Sequence, residues 1–183
     1  MSNTGRFSLI YKILGSITLM LALLVLGAWN FHTTVRAERT FNAPVADVWR
    51  VWNDTDSVKK WWGPKGYTAL VVRNDVRESG SYLWAMKSAQ GKMFWSTGTY
   101  KEVVANKKIV STMSFSNENG ETIPGSQVSV PGQWPNEITI IVEFSESKGK
   151  TRVTVAEVGI PLIVYALSKI GWAQQFDKIQ LLL

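Results

Sequence analysis

The 183 residues allow one ordinary domain plus a short appendage, and 45% apolar with 19% charged residues is a folding composition. There is no cysteine and a single histidine, His32, which excludes disulfides, thiolate catalysis and cysteine- or multi-histidine-ligated metal sites, and disfavours a serine–histidine triad. The net charge of +6 is mild, and no Lys/Arg cluster is interleaved with aromatics, so nucleic acid is not an expected partner. Nine tryptophans must find places in a core, a pocket or a membrane interface.

The residues before 13 form a short tail, and Ile13 to Phe31 is then a run of 19 residues without a charge. That matches the roughly 20 residues a helix needs to cross about 30 Å of hydrocarbon. Arg6 and Lys12 flank one end, Arg36 and Arg39 the other, and Tyr11 and Trp29 fall near the two interfaces. A cleaved signal peptide shares the basic start and apolar middle. The run is long for that, and Trp29 follows the best cleavage points, Gly27 and Ala28, so an uncleaved single-pass anchor is expected. A buried core helix is disfavoured by the lack of a polar face. Arg6 and Lys12 favour a cytoplasmic tail and a domain on the extracytoplasmic side, although Arg36, Arg39 and Arg50 pull the other way.

His32 to Phe41 reads as a strand, joined to the anchor without a flexible linker. Pro44 to Trp52 reads as a short helix with Val45, Val48, Trp49 and Trp52 on one face. Thr55 to Trp62 is a second helix, capped by Asp54 or Thr55 and stopped by Gly63-Pro64. Strands follow near 67–75, 80–87, 93–103, 108–116, 138–146 and 151–158, separated by turn chemistry such as Ser79-Gly80, Gln90-Gly91 and Lys148-Gly149. The long loop from Asn117 to Asn136 is of a length usually functional or mobile. Pro161 to Leu183 reads as a long helix with Tyr165, Lys169, Trp172, Phe176, Ile179 and Leu183 on one stripe. Leu162, Ile163, Leu167 and Ile170 make its first half apolar nearly all round, as for a helix gripped by a sheet or touching a membrane. The order predicts α+β: a curved antiparallel sheet over residues 35–183, covered by the last helix, with a pocket between them.

The stretch RTFNAPVADVWRVWNDTDSVKKWWGPKGYT (Arg39 to Thr68) resembles the opening of the SRPBCC, or START-like, superfamily. It is most similar to the branch named for the activator of the 90-kDa heat-shock protein ATPase, with its "APxxxVWxxWTDPxxxxxWWGPxG" pattern. Gly171-Trp172, Phe176, Ile179 and the leucine end resemble that family's "GWxxxLxxLxxLL" helix, and Trp134-Pro135 before a strand also fits. Polyketide-cyclase-like proteins with an N-terminal membrane helix are similar too. The resemblance implies the helix-grip fold and a cavity for lipids, polyketides or other apolar ligands. It implies no cofactor. The sequence departs from the pattern at Glu157-Val-Gly-Ile-Pro161, which has no preceding run of acids.

Alternation puts Arg39 on the face of Val35, Ala37 and Phe41, and Glu157 on the face of Val153 and Val155. In a helix-grip sheet the first and last strands are neighbours, so an Arg39–Glu157 pair at the cavity wall competes with two solvated charges. Trp61-Trp62-Gly63-Pro64 reads as a lid over a ligand or a plug closing the sheet. Trp84 and Met86 share a face, and of Phe94 and Trp95 only one can point inward. Trp49, Tyr82, Tyr100, Tyr165 and Trp172 complete the candidate cavity residues, with Arg39, Trp61, Trp62, Trp84, Met86 and Glu157. No catalytic or metal-ligating residue is assigned: Asp54 and Asp56 read as helix caps, Glu118 and Glu121 as solvated, and His32 as interfacial.

The expected function is a membrane-anchored carrier of a lipid or other apolar small molecule, touching the bilayer through residues 13–31. A chaperone-interaction module is one alternative, which the resemblance implies and which requires a cytoplasmic domain. A cyclase- or hydrolase-like enzyme is the other, for which only Glu157, Arg39 and the tyrosines could supply acid–base groups. No protein partner is indicated.

Overall fold

A computed structural model describes residues 4–183, with side chains from Ile13 onward except those of Val71 and Val72. The side chains of Arg6, Tyr11 and Lys12, placed above at one membrane interface, lie outside the described residues. Helix α1 spans Thr4–Asn30. Within it Ile13–Asn30 is long and apolar enough to cross a membrane, and none of that window is buried against the rest of the chain.

Strand β1 (His32–Phe41) begins two residues after α1 ends. Helices α2 (Val45–Asn53) and α3 (Thr55–Trp61) come next, then β2 (Tyr67–Asn74), β3 (Ser81–Ser88), β4 (Met93–Val104), β5 (Lys108–Ser116), β6 (Ile138–Ser147) and β7 (Lys150–Pro161). A single 3₁₀ turn, Leu162–Val164, leads into helix α4, Tyr165–Gln180. Pro161 is therefore the last residue of a strand, not the first of the helix, because β1 goes on pairing β7 up to His32↔Pro161.

The seven strands form one antiparallel sheet in the order β1-β7-β6-β5-β4-β3-β2. Bulges between Ala69 and Val71 and between Tyr100 and Glu102 bend it, and the concave face wraps α4. At Gly98 an added Cβ would lie 1.9 Å from the Thr112 carbonyl oxygen and 2.7 Å from the Tyr82 ring. Only glycine lets the Tyr82 ring cross β4 and donate from its hydroxyl to that carbonyl, at 2.7 Å.

On α2 the buried residues are Val48, Val51 and Trp52. Val45 and Trp49 are half-buried, so the inward face is turned toward Val51 relative to the stripe read from the sequence. Asp54 caps α3: its carboxylate accepts from the Ser57 backbone N–H and hydroxyl, both at 2.8 Å, and these bonds hold its pKa below the ordinary range. Asp56 pairs with Lys59 at 3.0 Å. The buried face of α4 carries Trp172, Gln175, Phe176 and Ile179. Phe176 and Ile179 meet Phe41, Val153 and Val155 of the neighbouring strands in the core. Leu167 and Ile170 are 63% and 54% exposed, so the first half of α4 is only partly gripped.

Candidate functional site: two chambers under the last helix

The closed end is aromatic. Trp52 stacks on Trp172 with ring planes 4° apart and centroids 6.0 Å apart, and its ring is 5.0 Å from Trp61. Trp61 is fully buried, and its indole N–H donates to the Val51 carbonyl at 2.9 Å. Beneath this cluster lies an inner chamber of about 30 Å³ lined by Trp52, Trp62, Tyr82, Trp84, Tyr100 and Trp172 among others. That volume suits one or two waters rather than an organic ligand. Tyr100 donates to the Asn74 side-chain oxygen, and burial pushes both the Tyr82 and Tyr100 hydroxyls well above the ordinary phenol range. The Trp84 indole N–H is buried without a partner among the described residues and suits such a water.

The outer chamber is larger, about 240 Å³. It exceeds the cavity of about 150 Å³ that accepts benzene in an engineered protein core. Trp62 and Trp172 line both chambers and form the partition between them. The outer walls come from Met86 on β3, Phe94 and Ser96 on β4, Met113 and Phe115 on β5, and Leu167, Ser168, Gly171 and Gln175 on α4. The loop after β5 supplies Val130 and Trp134. The Trp134 ring packs edge-on against Phe115 at 5.1 Å, and its N–H donates to the Pro131 carbonyl at 2.9 Å. The loop thus carries part of the site, held in place by a bridge from Ser116 to Thr122 and a 3₁₀ turn at Gly125–Gln127.

Glu157 is the ionisable residue of the outer wall and is only 9% exposed. It accepts a hydrogen bond from the Ser168 hydroxyl, one turn before Trp172 on α4. Burial raises its pKa above the ordinary carboxylate range, opposed by the Ser168 hydroxyl and the Trp172 indole. Arg39 does not reach it. The register sets Arg39 opposite Val153 and Val35 opposite Glu157, and four residues of strand are about 13 Å. Arg39 instead pairs with Asp177 of α4 at 2.9 Å, its guanidinium 5.9 Å from the Phe176 ring centre. Of the two alternatives read from the sequence, the Arg39–Glu157 pair is absent, and the solvated reading fails for Glu157, which is buried.

Of the other cavity candidates, Trp61, Trp62, Tyr82, Trp84, Tyr100 and Trp172 line the inner chamber, and Met86 lines the outer one. Trp49 and Tyr165 line neither: Trp49 packs edge-on against Phe144 at 5.1 Å, and Lys169 lies over the Tyr165 ring at 5.9 Å. Of Phe94 and Trp95, Phe94 shares the face of Met86, its partner across β3 and β4, and Trp95 also borders the outer chamber. Sequence reading missed Ser168, Gln175, Phe115 and Trp134 as wall residues.

The Trp62-to-Lys65 turn is fastened to α4. Gln175 accepts from the Gly63 N–H at 3.0 Å, Gln174 accepts from the Lys65 N–H at 2.8 Å, and the Lys178 ammonium donates to the Gly63 carbonyl at 2.7 Å. Gly63 has φ +91°, where a side chain would be strained. Trp61 is therefore a plug, while Trp62 forms a fixed wall between the chambers. Among the described residues no three His, Cys, Asp or Glu gather as a metal site would need.

The mouth lies where the largely exposed Leu167 meets the chamber. The end of α1 is fastened nearby. The Gln133 N–H donates to the Trp29 carbonyl at 3.0 Å, the Leu162 N–H donates to the Phe31 carbonyl at 2.8 Å, and the His32 ring is 2.6 Å from the Gln133 carbonyl.

Comparison with known proteins gives the same architecture. A family model described as Activator of Hsp90 ATPase homolog 1-like protein matches residues 42–183. A crystal structure of a Chromobacterium violaceum protein superposes with a TM-score of 0.69 at 23% identity, covering 81% of this chain and 95% of that one. A Mycobacterium smegmatis protein gives 0.68 at 22% identity, covering 82% and 90%. The AHSA1 protein of Silicibacter pomeroyi gives 0.66 at 16%, covering 81% and 96%. At these identities the likeness is one of fold. No curated protein matches the chain.

Proposed function

The chain belongs to the family of activator-of-Hsp90-ATPase-homolog-1-like proteins, and from that premise we propose that it is a membrane-anchored binding protein for a hydrophobic small molecule. The observation that carries the reading is the apolar outer chamber of about 240 Å³ between sheet and α4, with its one buried carboxyl. Burial of the ligand's apolar surface, about 25 cal/mol per Å², drives binding, less the cost of immobilising it.

The membrane part of the proposal draws support from α1, whose window Ile13–Asn30 has the length and hydropathy of a span. It also draws on exposed Leu162, whose N–H meets the end of α1, and on exposed Leu167 and Ile170 of α4, of which Leu167 lines the chamber. Ligand then enters from the bilayer face. The domain lies on the extracytoplasmic side, in keeping with Arg6 and Lys12 ahead of the helix. Because the chain has no cysteine, single cysteines introduced at Ser2 and Lys148 report sidedness cleanly with an impermeant maleimide.

The test is lipid analysis of the full chain taken from its membrane in nanodiscs, beside a Ser96→Trp variant that fills the outer chamber. A small molecule enriched in the parent and lost in the variant supports the reading. Equal contents in both, with the variant folded, sink it.

A further inference from the structure

Charge in the outer chamber is one-sided. Glu157 is its acidic wall residue, and among the described residues no lysine, arginine or histidine lines it. The nearby cations are committed elsewhere: Arg39 to Asp177, and Lys178 to the Gly63 and Pro64 carbonyls at 2.7 and 3.4 Å. Glu157 stands opposite Val35 on β1 and Ile140 on β6 in the register, and its carboxyl meets Ser168 and Trp172 of α4. The ionisable group coupled to it from β3 is the Tyr82 hydroxyl, which burial keeps neutral. A carboxyl in an apolar wall without a counter-ion is costly to ionise, so a ligand that brings the counter-ion gains what the chain leaves out. The surrounding walls suit the same charge. Trp62, Phe94, Phe115, Trp134 and Trp172 present rings around the cavity, and the faces of such rings attract a cationic nitrogen.

We propose that the ligand of the outer chamber is an apolar amine, its ammonium group held by Glu157 between Ser168 and Trp172 and its hydrocarbon body against the aromatic walls. The inference rests on the binding function proposed above and narrows its ligand class: fatty acids and other anionic amphiphiles are disfavoured, because the described wall offers an anion no cation and would bury its charge unpaired beside the Glu157 carboxyl. Ammonium binding favours the carboxylate form of Glu157, sending to solvent any proton the buried carboxyl holds, and the carboxylate keeps its bond from Ser168.

The experiment uses the full chain in phosphatidylcholine nanodiscs, with empty nanodiscs subtracted. The probes are 4-phenylbutylamine, 4-phenylbutanol and 4-phenylbutanoate, which share one body and differ in head group. Calorimetric titration at pH 7.5 is expected to rank amine over alcohol by about tenfold or more, with the acid weakest. Proton release, read as a dependence of the heat on buffer ionisation enthalpy, is expected for the amine alone. In Glu157→Gln the ratio of amine to alcohol affinity is expected to fall to within about twofold. Ser168→Ala, which keeps the carboxyl, is expected to retain the ranking and so separates charge recognition from wall damage. Equal binding of all three heads, or an amine preference that survives in Glu157→Gln, overturns the amine assignment and leaves the apolar-carrier reading standing. Binding of no probe, in a chain whose near-ultraviolet circular dichroism shows it folded, overturns both.

Discussion

The two ends of the space under α4 are built on opposite principles. At the closed end the large side chains are fully buried, and most polar atoms find partners inside the chain: Trp61 bonds Val51, Tyr82 bonds Thr112 and Tyr100 bonds Asn74. What remains is room for a water or two. At the open end aromatic rings stand apart around about 240 Å³, a carboxyl is buried without a cation, and Leu167 faces outward. The contrast teaches that tryptophan serves two purposes in one cavity. Trp61 closes a core, Trp134 leaves a wall, and Trp172, shared by both chambers, does both. The first use contributes mainly to folding and the second mainly to binding.

The sharpest way to break that contrast is Trp61→Ala. It removes a fully buried ring and strands the Val51 carbonyl, and is expected to cost about 3–5 kcal/mol of stability in urea unfolding. Trp134→Ala acts at the other end. Its ring is only partly buried, so a loss of about 1–2 kcal/mol is expected, together with at least tenfold weaker ligand binding. If the two variants lose equal stability, the division between core and wall fails.

Glu157→Gln sharpens the comparison through pH. The folded-state pKa of Glu157 is raised, so the folded protein holds this proton more tightly than the unfolded chain does. The stability it contributes is full below the ordinary carboxylate pKa and is lost as pH rises through the raised value. The glutamine variant should therefore melt higher than the parent at pH 8, with the gap closing toward pH 4 in matched thermal scans. A gap that widens on acidification would reverse the sign argued for this carboxyl. The smallest effect belongs to Arg39→Ala. It removes a half-exposed pair with Asp177, expected to be worth less than about 1 kcal/mol, and leaves ligand binding unchanged because Arg39 touches neither chamber.

Much of the fold was legible because each element obeys one local rule. The strands alternate, and α4 repeats Trp172, Phe176 and Ile179 at helical spacing. Parity along a strand reports the face but not the height. Arg39 and Glu157 were both assigned to inward faces, and both do face α4, yet the β1–β7 register separates them by four residues. Register depends on which residues of two strands far apart in sequence meet, here Val35 with Glu157 and Arg39 with Val153, and neither strand carries a local mark of it. The buried polar residues of α4 were missed for a related reason. Ser168 and Gln175 look like solvent-facing positions until the carboxyl and the Gly63 turn they serve are known. Their spacing from Trp172, four residues before and three after, was the available signal. Trp134 was noted as part of a motif, but a loop residue carries no periodicity that could aim it inward.

Between the last residue of α1, Asn30, and the first of β1, His32, there is only Phe31, and its carbonyl is tied to Leu162. A tether of this kind is a post rather than a string. The domain cannot swivel freely about its helix, so the azimuth of α1 sets the compass bearing of the chamber mouth. Inserting one alanine before Asn30 would turn the post by about 100°. The chain must then either break the bonds at Gln133 and Leu162 or swing its mouth around with the helix.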